Sequence, residues 1–274
     1  NIIAWKCNCN NGIIKISRMV SLMKYLRFRH KGEEKYGILE GDVIKEISGN
    51  FFDDFRLTGN TYGPDQIKLL APCSPSKVVA VGLNYADHIN EFGNRPMPKN
   101  PTIFIKLPHT VVGPEDYILI PKGATRVDYE AELAVVIKKT CKDVKVEEVN
   151  NYILGATCLN DVTERDIQRE DGQWTRAKNF ETFCPIGPYI VDGVNYNALD
   201  IKLYLNGKLK QSSNTKNLLW NVQELVSFIS GVIPLYPGDV VTTGTPHGVG
   251  PMKDGDVVEV VIESIGILRN KVKA

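Results

Sequence analysis

VDYEAELAVVI, residues 127–137, alternates in a way that organises everything around it. Residues i and i+2 of a strand share a face, so Tyr129, Ala131, Leu133, Val135 and Ile137 make one apolar face. Glu130 and Glu132 sit together on the other, followed by Ala134 and Val136. Two adjacent acids facing one way repel each other unless a cation or water relieves them. An E-x-E pair alone is usually a solvated strand face. Here the flanks are apolar on both faces, which points to burial within a sheet.

Further strands read outward from this one. KVVAVGLNY (77–85) is an apolar run fit for a buried strand, and Gly82 lets the backbone pass close to a neighbour. TIFIK, YILGATCL, GPYIV, IKLYLNG, DVVTTGT and DVVEVVIESIGIL follow. Near the N-terminus, YLRFR alternates and KYGILEGDVIKEI gives two short strands around Glu40-Gly41-Asp42. Residues 50–76 hold a helix candidate and the Pro-rich stretch APCSPS, which reads as a linker. GDV followed by Val or Ile recurs at 41, 238 and 255, one turn-into-strand solution used three times. Residues 217–231 read as a helix, with Asn221 and Glu224 as a capping box and Val222, Leu225, Val226 and Ile229 as its apolar stripe. Few helices and no regular βαβ alternation make the fold class α+β and strand-rich, with a dominant antiparallel or mixed sheet, open or rolled.

The 274 residues suffice for a large core without disulfide or metal staples. A net charge of +1 gives no basic footprint for nucleic acid. The most apolar stretch, residues 218–236, is interrupted by Asn221, Gln223, Glu224 and Pro234, so no membrane span is expected. Six cysteines lack a disulfide-framework spacing, which favours a reducing compartment and a cytoplasmic protein. Residues 1–32 carry seven Lys or Arg and no acid, a composition also compatible with a mitochondrial leader. Residues 1–22 are expected to be an extension, disordered or foreign to the fold, with the domain proper starting near Met23.

Several residues can carry chemistry. Asp161 ends the run GATCLND; it is a turn residue or, if Thr163 caps the following helix with Asp166, it is free. Glu130, Glu132 and Asp161 together suit Mg²⁺ or Mn²⁺, which prefer oxygen ligands. His88 and Glu91 in GLNYADHINE stand i, i+3 on a short predicted helix, where a carboxylate orients the imidazole as a general base. Such a pair alone is more often a surface pair. Arg165 and Gln168 share a helix face after Asp161, in the otherwise ordinary charged segment TERDIQRED. Lys178 in WTRAKNF lies in a partly apolar loop, where it is solvated or offsets charge on an enolate. TTGTPHGVG (242–250) offers Thr245 and the amides of Gly244 and Gly248 to a carboxylate, or is an ordinary Gly-rich turn.

GLNYADH-x-x-E, YEAEL, LNDVTERDIQ, AK-x-F-x-x-FCP-x-GP, PGDVV-x-TGTP-x-GVG and IGILRN, in this order from about Lys77 to the C-terminus, resemble the fumarylacetoacetate hydrolase family. The resemblance implies a mixed β-roll catalytic domain over residues 71–274, a small N-terminal domain over 23–70, a homodimer and bound Mg²⁺ or Mn²⁺. It implies Glu130, Glu132 and Asp161 as metal ligands, His88 and Glu91 as a water-activating dyad on a mobile lid, and Lys178 as the family lysine. Arg165, Gln168 and Thr245 fall on substrate-contacting positions. The short chain resembles the compact branch of acylpyruvate hydrolases, oxaloacetate decarboxylases and hydroxyheptadienedioate isomerases. Glu181 and Thr110 stand where that pattern commonly has Asp and Ser. The implied activity is metal-dependent chemistry on a 2-oxo or 2,4-dioxo acid, foremost C–C hydrolysis of an acylpyruvate. Decarboxylation or tautomerisation of oxaloacetate and isomerisation of a hydroxyheptadienedioate are alternatives, as is an inactive metal-binding scaffold.

Overall fold

The computed structural model describes residues 22–86 and 97–274. Among them the strands gather into three sheets, and the pairing is mixed. In the largest, Ala131–Ile137 lies between Ile153–Asn160 and Val240–Thr242, antiparallel to both. Val240–Thr242 runs parallel to Val78–Gly82, which pairs with Thr102–Lys106. On the other side, Ile153–Asn160 pairs with Cys184–Asp192, and that strand with Met23–His30. The N-terminal strands Met23–His30, Glu33–Glu40, Val43–Ile47 and Leu57–Tyr62 therefore continue the same sheet. A second sheet orders Lys208–Asn214, Asp200–Leu205, Val257–Ile262, Gly266–Lys273 and Tyr117–Leu119. A short third one joins Thr163–Glu164, Val127–Tyr129 and Gly250–Met252.

The expected alternation of the central strand holds. Leu133 and Val135 belong to the main core with Ile201, Leu203, Val258 and Val260 of the second sheet, while Ala134 and Val136 join Tyr25, Phe51 and Ile186 on the opposite face. A strand covered on both faces is what its near-continuous apolar composition requires. The helix Val222–Ser230 has the expected capping box, and Val222, Leu225, Val226 and Ile229 are buried in the main core. Gly82 has Trp174 laid over it, and a Cβ there would come within 2.4 Å of that ring.

The three GDV turns share one geometry. Gly41, Gly238 and Gly255 all have positive φ, and each is followed by a strand that begins at the valine. Positive φ strains any residue with a Cβ, which is why glycine recurs there. At the second and third turns the aspartate side chain accepts the amide of the residue three before it, from Tyr236 to Asp239 and from Lys253 to Asp256.

The structure corrects two readings of residues 50–76. No α-helix forms there; Leu57–Tyr62 is an edge strand, which its Thr-, Tyr-containing sequence favours once Val43–Ile47 offers a ladder. The stretch read as a linker is held down: Ala71 and Cys73 are buried, and the fully buried Asp239 accepts from Ser76 N, Ser76 Oγ, Lys77 N and Lys77 Nζ. Asp239→Ala leaves a mostly buried ammonium and several amide donors unpaired. It should cost about 3 kcal/mol, read from the urea midpoint; a loss under about 1 kcal/mol would show that Asp239 does not anchor this segment.

Candidate metal centre

The site is a consequence of register. Ala131 pairs with Asn160 and Glu132 with Leu159, so the chain leaves the ladder at Glu130 on one strand and Asp161 on the other. Asp161 N donates to Glu130 O at 2.9 Å, and Asn160 Oδ1 accepts from Glu130 N at 2.9 Å. Glu132 lies two residues inward on the same face as Glu130. Carboxylate oxygens of Glu130, Glu132 and Asp161 all lie within 4.8 Å of one another, and all three residues are buried. They line a cleft of about 400 Å³ together with Arg165, Lys178 and Thr245.

Cations surround the acids. Lys178 Nζ bridges Glu130 Oε2 at 2.8 Å and Asp161 Oδ2 at 2.6 Å, and stands 5.0 Å from the centre of the Phe104 ring. Its backbone closes the short helix Thr175–Lys178 and it is buried, so the loop and the solvated alternative both give way to a placed ammonium. Arg165 is buried too; it donates to Asp128 Oδ2 at 2.8 Å, to Glu130 Oε1, and to Gln168 Oε1 at 2.9 Å. The reading of TERDIQRED as an exposed charged helix therefore fails for Arg165, while Arg169 and Glu170 do face solvent. The helix Arg165–Asp171 is capped by Glu164, whose side chain accepts from Ile167 N, and not by Thr163 as expected. Thr163 lies in a strand and its hydroxyl donates to Asp161 O.

The Gly244 amide turns inward, to the acids of the site itself. It does hold a carboxylate, but that of Glu132, at 3.0 Å. Two charged residues were missed. Lys106, fully buried at the end of Thr102–Lys106, donates to Asp161 Oδ1 at 2.6 Å and to Val162 O at 3.2 Å. Asp128 is fully buried between Arg165 and Arg126. His88 and Glu91 lie outside the described residues.

A family model described as Fumarylacetoacetate (FAA) hydrolase C-terminal matches residues 77–273. The chain belongs to the fumarylacetoacetate hydrolase family. A second model, Rv2993c-like, N-terminal, matches residues 23–72. An oxaloacetate tautomerase of Rattus norvegicus, named as mitochondrial, is 43% identical over 76% of this chain and 70% of its own. The crystal structure of a 2-hydroxyhepta-2,4-diene-1,7-dioate isomerase from Mycobacterium marinum superimposes with a TM-score of 0.86 at 40% identity, over 92% of this chain and 98% of that one. A maleylpyruvate hydrolase from Sphingobium sp. SYK-6, solved with manganese(II) and pyruvate, gives a TM-score of 0.77 at 29% identity over 92% and 99%. This chain is thus an enzyme of a family that includes hydrolases, isomerases and tautomerases of oxo acids.

The donor set of this fumarylacetoacetate hydrolase family member fits a hard divalent cation: three anionic oxygen ligands, buried and mutually repelling. Glu132 carries that repulsion. Burial, then the charges of Asp161 and Glu130, push its pKa well above the ordinary glutamate value, and contacts with Thr242 and Lys178 offset this only in part. Burial opposes the Lys178 ammonium, but Asp161 and Glu130 outweigh it and hold its pKa above the usual lysine value. An acid whose pKa is raised by folding stabilises the protein below its unfolded pKa and loses that contribution as pH rises through the folded one. Glu132→Gln mimics the neutral acid. In chelator at pH 8 the variant should therefore be more stable than the parent by roughly 1–2 kcal/mol, and Mn²⁺ should raise the melting temperature of the parent only. A variant less stable than the parent in chelator would show that the carboxylates are not in conflict.

Proposed function

We propose that the protein is a Mg²⁺- or Mn²⁺-dependent enzyme that cleaves a C–C bond of an acylpyruvate-type 2,4-dioxo acid by hydrolysis. The observation that carries this reading is the convergence of Glu130, Glu132 and Asp161 with Lys178 on one cleft. Glu130, Glu132 and Asp161 would hold the ion, and the chemistry it supplies is Lewis-acid polarisation of the 2-oxo group. Oxaloacetate and maleylpyruvate, named for two of the relatives, are both 2-oxo acids.

Within that reading each residue has a separate task. Lys178 Nζ, at the cleft wall, offsets the negative charge that develops on the 2-oxo oxygen as an enolate forms. Arg165 and Gln168, joined to each other, and Thr245 orient the substrate carboxylate. His88, oriented by Glu91, removes a proton from water, which adds to the distal carbonyl. The bond between the distal carbonyl carbon and C3 then breaks, its electron pair forms the pyruvate enolate, and a proton at C3 completes pyruvate beside the released carboxylic acid. The assignment of His88 and Glu91 rests on their spacing and on the family resemblance.

A second reading is supported by the named activities of the tautomerase and isomerase relatives. Proton transfer on a 2-oxo acid, or decarboxylation of oxaloacetate, needs the same carboxylates and Lys178 but no attacking water. We further propose that the active form is a homodimer, that residues 71–274 carry catalysis, and that residues 23–70 form an accessory unit.

Calorimetric titration of the chelator-treated protein with Mn²⁺ should show saturable binding that Glu132→Ala abolishes; unchanged binding in the variant would remove the metal assignment. With Mg²⁺ present, a panel of acylpyruvates, oxaloacetate and a hydroxyheptadienedioate should give turnover with the acylpyruvates. His88→Ala should lower it by about 10²–10⁴-fold. Acylpyruvate cleavage that survives the substitution would eliminate His88 as the base, and turnover confined to oxaloacetate or the dienedioate would favour the second reading.

A further inference from the structure

Gln211 belongs to the strand Lys208–Asn214 of the second sheet, in the polar stretch KLKQSSN, yet its side chain is fully buried beside the metal centre. Its Oε1 accepts from Ala131 N at 2.9 Å, the amide between the two glutamates. Its Nε2 donates to Pro246 O at 2.8 Å and to Thr245 Oγ1 at 2.9 Å. These partners fix which way round the amide lies. Ala131 N can only donate and Pro246 O can only accept, so the oxygen must face the first and the nitrogen the second. All three contacts follow from that one orientation.

The consequence falls on Thr245. Its hydroxyl oxygen receives an N–H from Gln211, so its own hydrogen is committed elsewhere, and Thr245 Oγ1 has no other hydrogen-bond partner among the described residues. Thr245 lines the cleft that holds Glu130, Glu132 and Asp161. A hydroxyl that accepts from behind is a donor in front, and a donor suits an anionic oxygen. A second feature holds the two segments together. Gly248 lies so close to the same strand that a Cβ would come within 2.4 Å of Lys210 O, so the loop after Thr242 can seat on Gln211 only with glycine there.

The geometry assigns Gln211 as a positioning residue that sets the polarity of Thr245, making its hydroxyl a donor to the carboxylate of the substrate. This rests on the 2-oxo acid reading above. Gln211→Glu keeps an oxygen toward Ala131 N but replaces the N–H toward Thr245 with an acceptor. The threonine hydrogen then turns back onto the variant carboxyl and is lost to the cleft.

The test titrates oxalate, a dianion that resembles enolpyruvate, into the Mn²⁺-loaded full chain by calorimetry. Gln211→Glu should weaken oxalate about tenfold to a hundredfold, the range for one hydrogen bond to a charged group, while Mn²⁺ affinity stays within about threefold. Thr245→Val should show the same loss, Thr245→Ser should not, and the double variant Gln211→Glu/Thr245→Val should be no worse than either single one. If thermal melting shows that Gln211→Glu does not fold, Gln211→Met, which also lacks the N–H, takes its place in the cycle. Parental oxalate affinity in the Gln211 variant, or losses that multiply in the double variant, overturn the assignment. Failure of the parent protein to bind oxalate would instead count against the 2-oxo acid reading.

Discussion

Three carboxylates buried at the end of one antiparallel ladder are the constraint to which the rest of the structure answers. Ionised acids out of water must be paired or must neutralise, and this protein pairs them. Among the described residues, Asp128, Glu130, Glu132 and Asp161 stand with Arg126, Arg165, Lys106 and Lys178, four acids to four bases. Balance in number is not balance at each position, however. Lys178 and Lys106 both serve Asp161, Lys178 and Arg165 serve Glu130, and Glu132 is held by two neutral donors, the Gly244 amide and the Thr242 side chain. The residual strain sits on Glu132, where its pKa records it. On the proposed reading, a divalent cation held by the three acids would relieve that strain and turn an electrically balanced cleft positive, as an anionic substrate requires.

The two lysines of Asp161 divide by position. Lys106 is fully buried and, among the described residues, donates to Asp161 and Val162, away from the cleft lining. Lys178 lines the cleft and touches both strands of the ladder. Lys106 thus holds one oxygen of Asp161 permanently, and Lys178 is the ammonium placed where a bound molecule would meet it. The strand Thr102–Lys106 serves both, since Phe104 and Lys106 share a face and the Phe104 ring lies against the Lys178 ammonium.

What the sequence made legible was local. Alternation placed Glu130 and Glu132 on one buried face, the end of an apolar run marked Asp161, and the capping box at Asn221 and the GDV turns are contained within a few residues. What it hid was set by distant partners. A lysine closing TIFIK looks like any strand end meeting water, and only Asp161, 55 residues on, makes it a buried ion. Gln211 reads as one polar residue among several, and its partner Ala131 is 80 residues away. TTGTPHGVG reads as a carboxylate-binding loop or an ordinary turn, and that the Gly244 amide meets the Glu132 carboxylate depends on the pairing of Ala131–Ile137 with Val240–Thr242. Substituting a cap is a question about three residues; assigning a buried charge is a question about the whole sheet.

The same sheet explains why the N-terminal strands accompany those that carry the three acids. Ile153–Asn160, which delivers Asp161, is flanked by Cys184–Asp192, and the outer edge of that strand is taken by Met23–His30. Without Met23–His30, the Ile190–Asp192 end of that strand would stand open one strand away from Ala156, and an exposed edge with apolar residues such as Ile190 and Val191 invites pairing with another chain. The hairpin Glu33–Glu40 and Val43–Ile47 then moves the free edge outward to Leu57–Tyr62, a strand of largely exposed polar residues with a glycine at its centre. A polar, interrupted edge pairs poorly with other strands. The N-terminal unit therefore need not touch substrate to matter for the site, because it keeps the strand that supports Asp161 in the interior of a sheet.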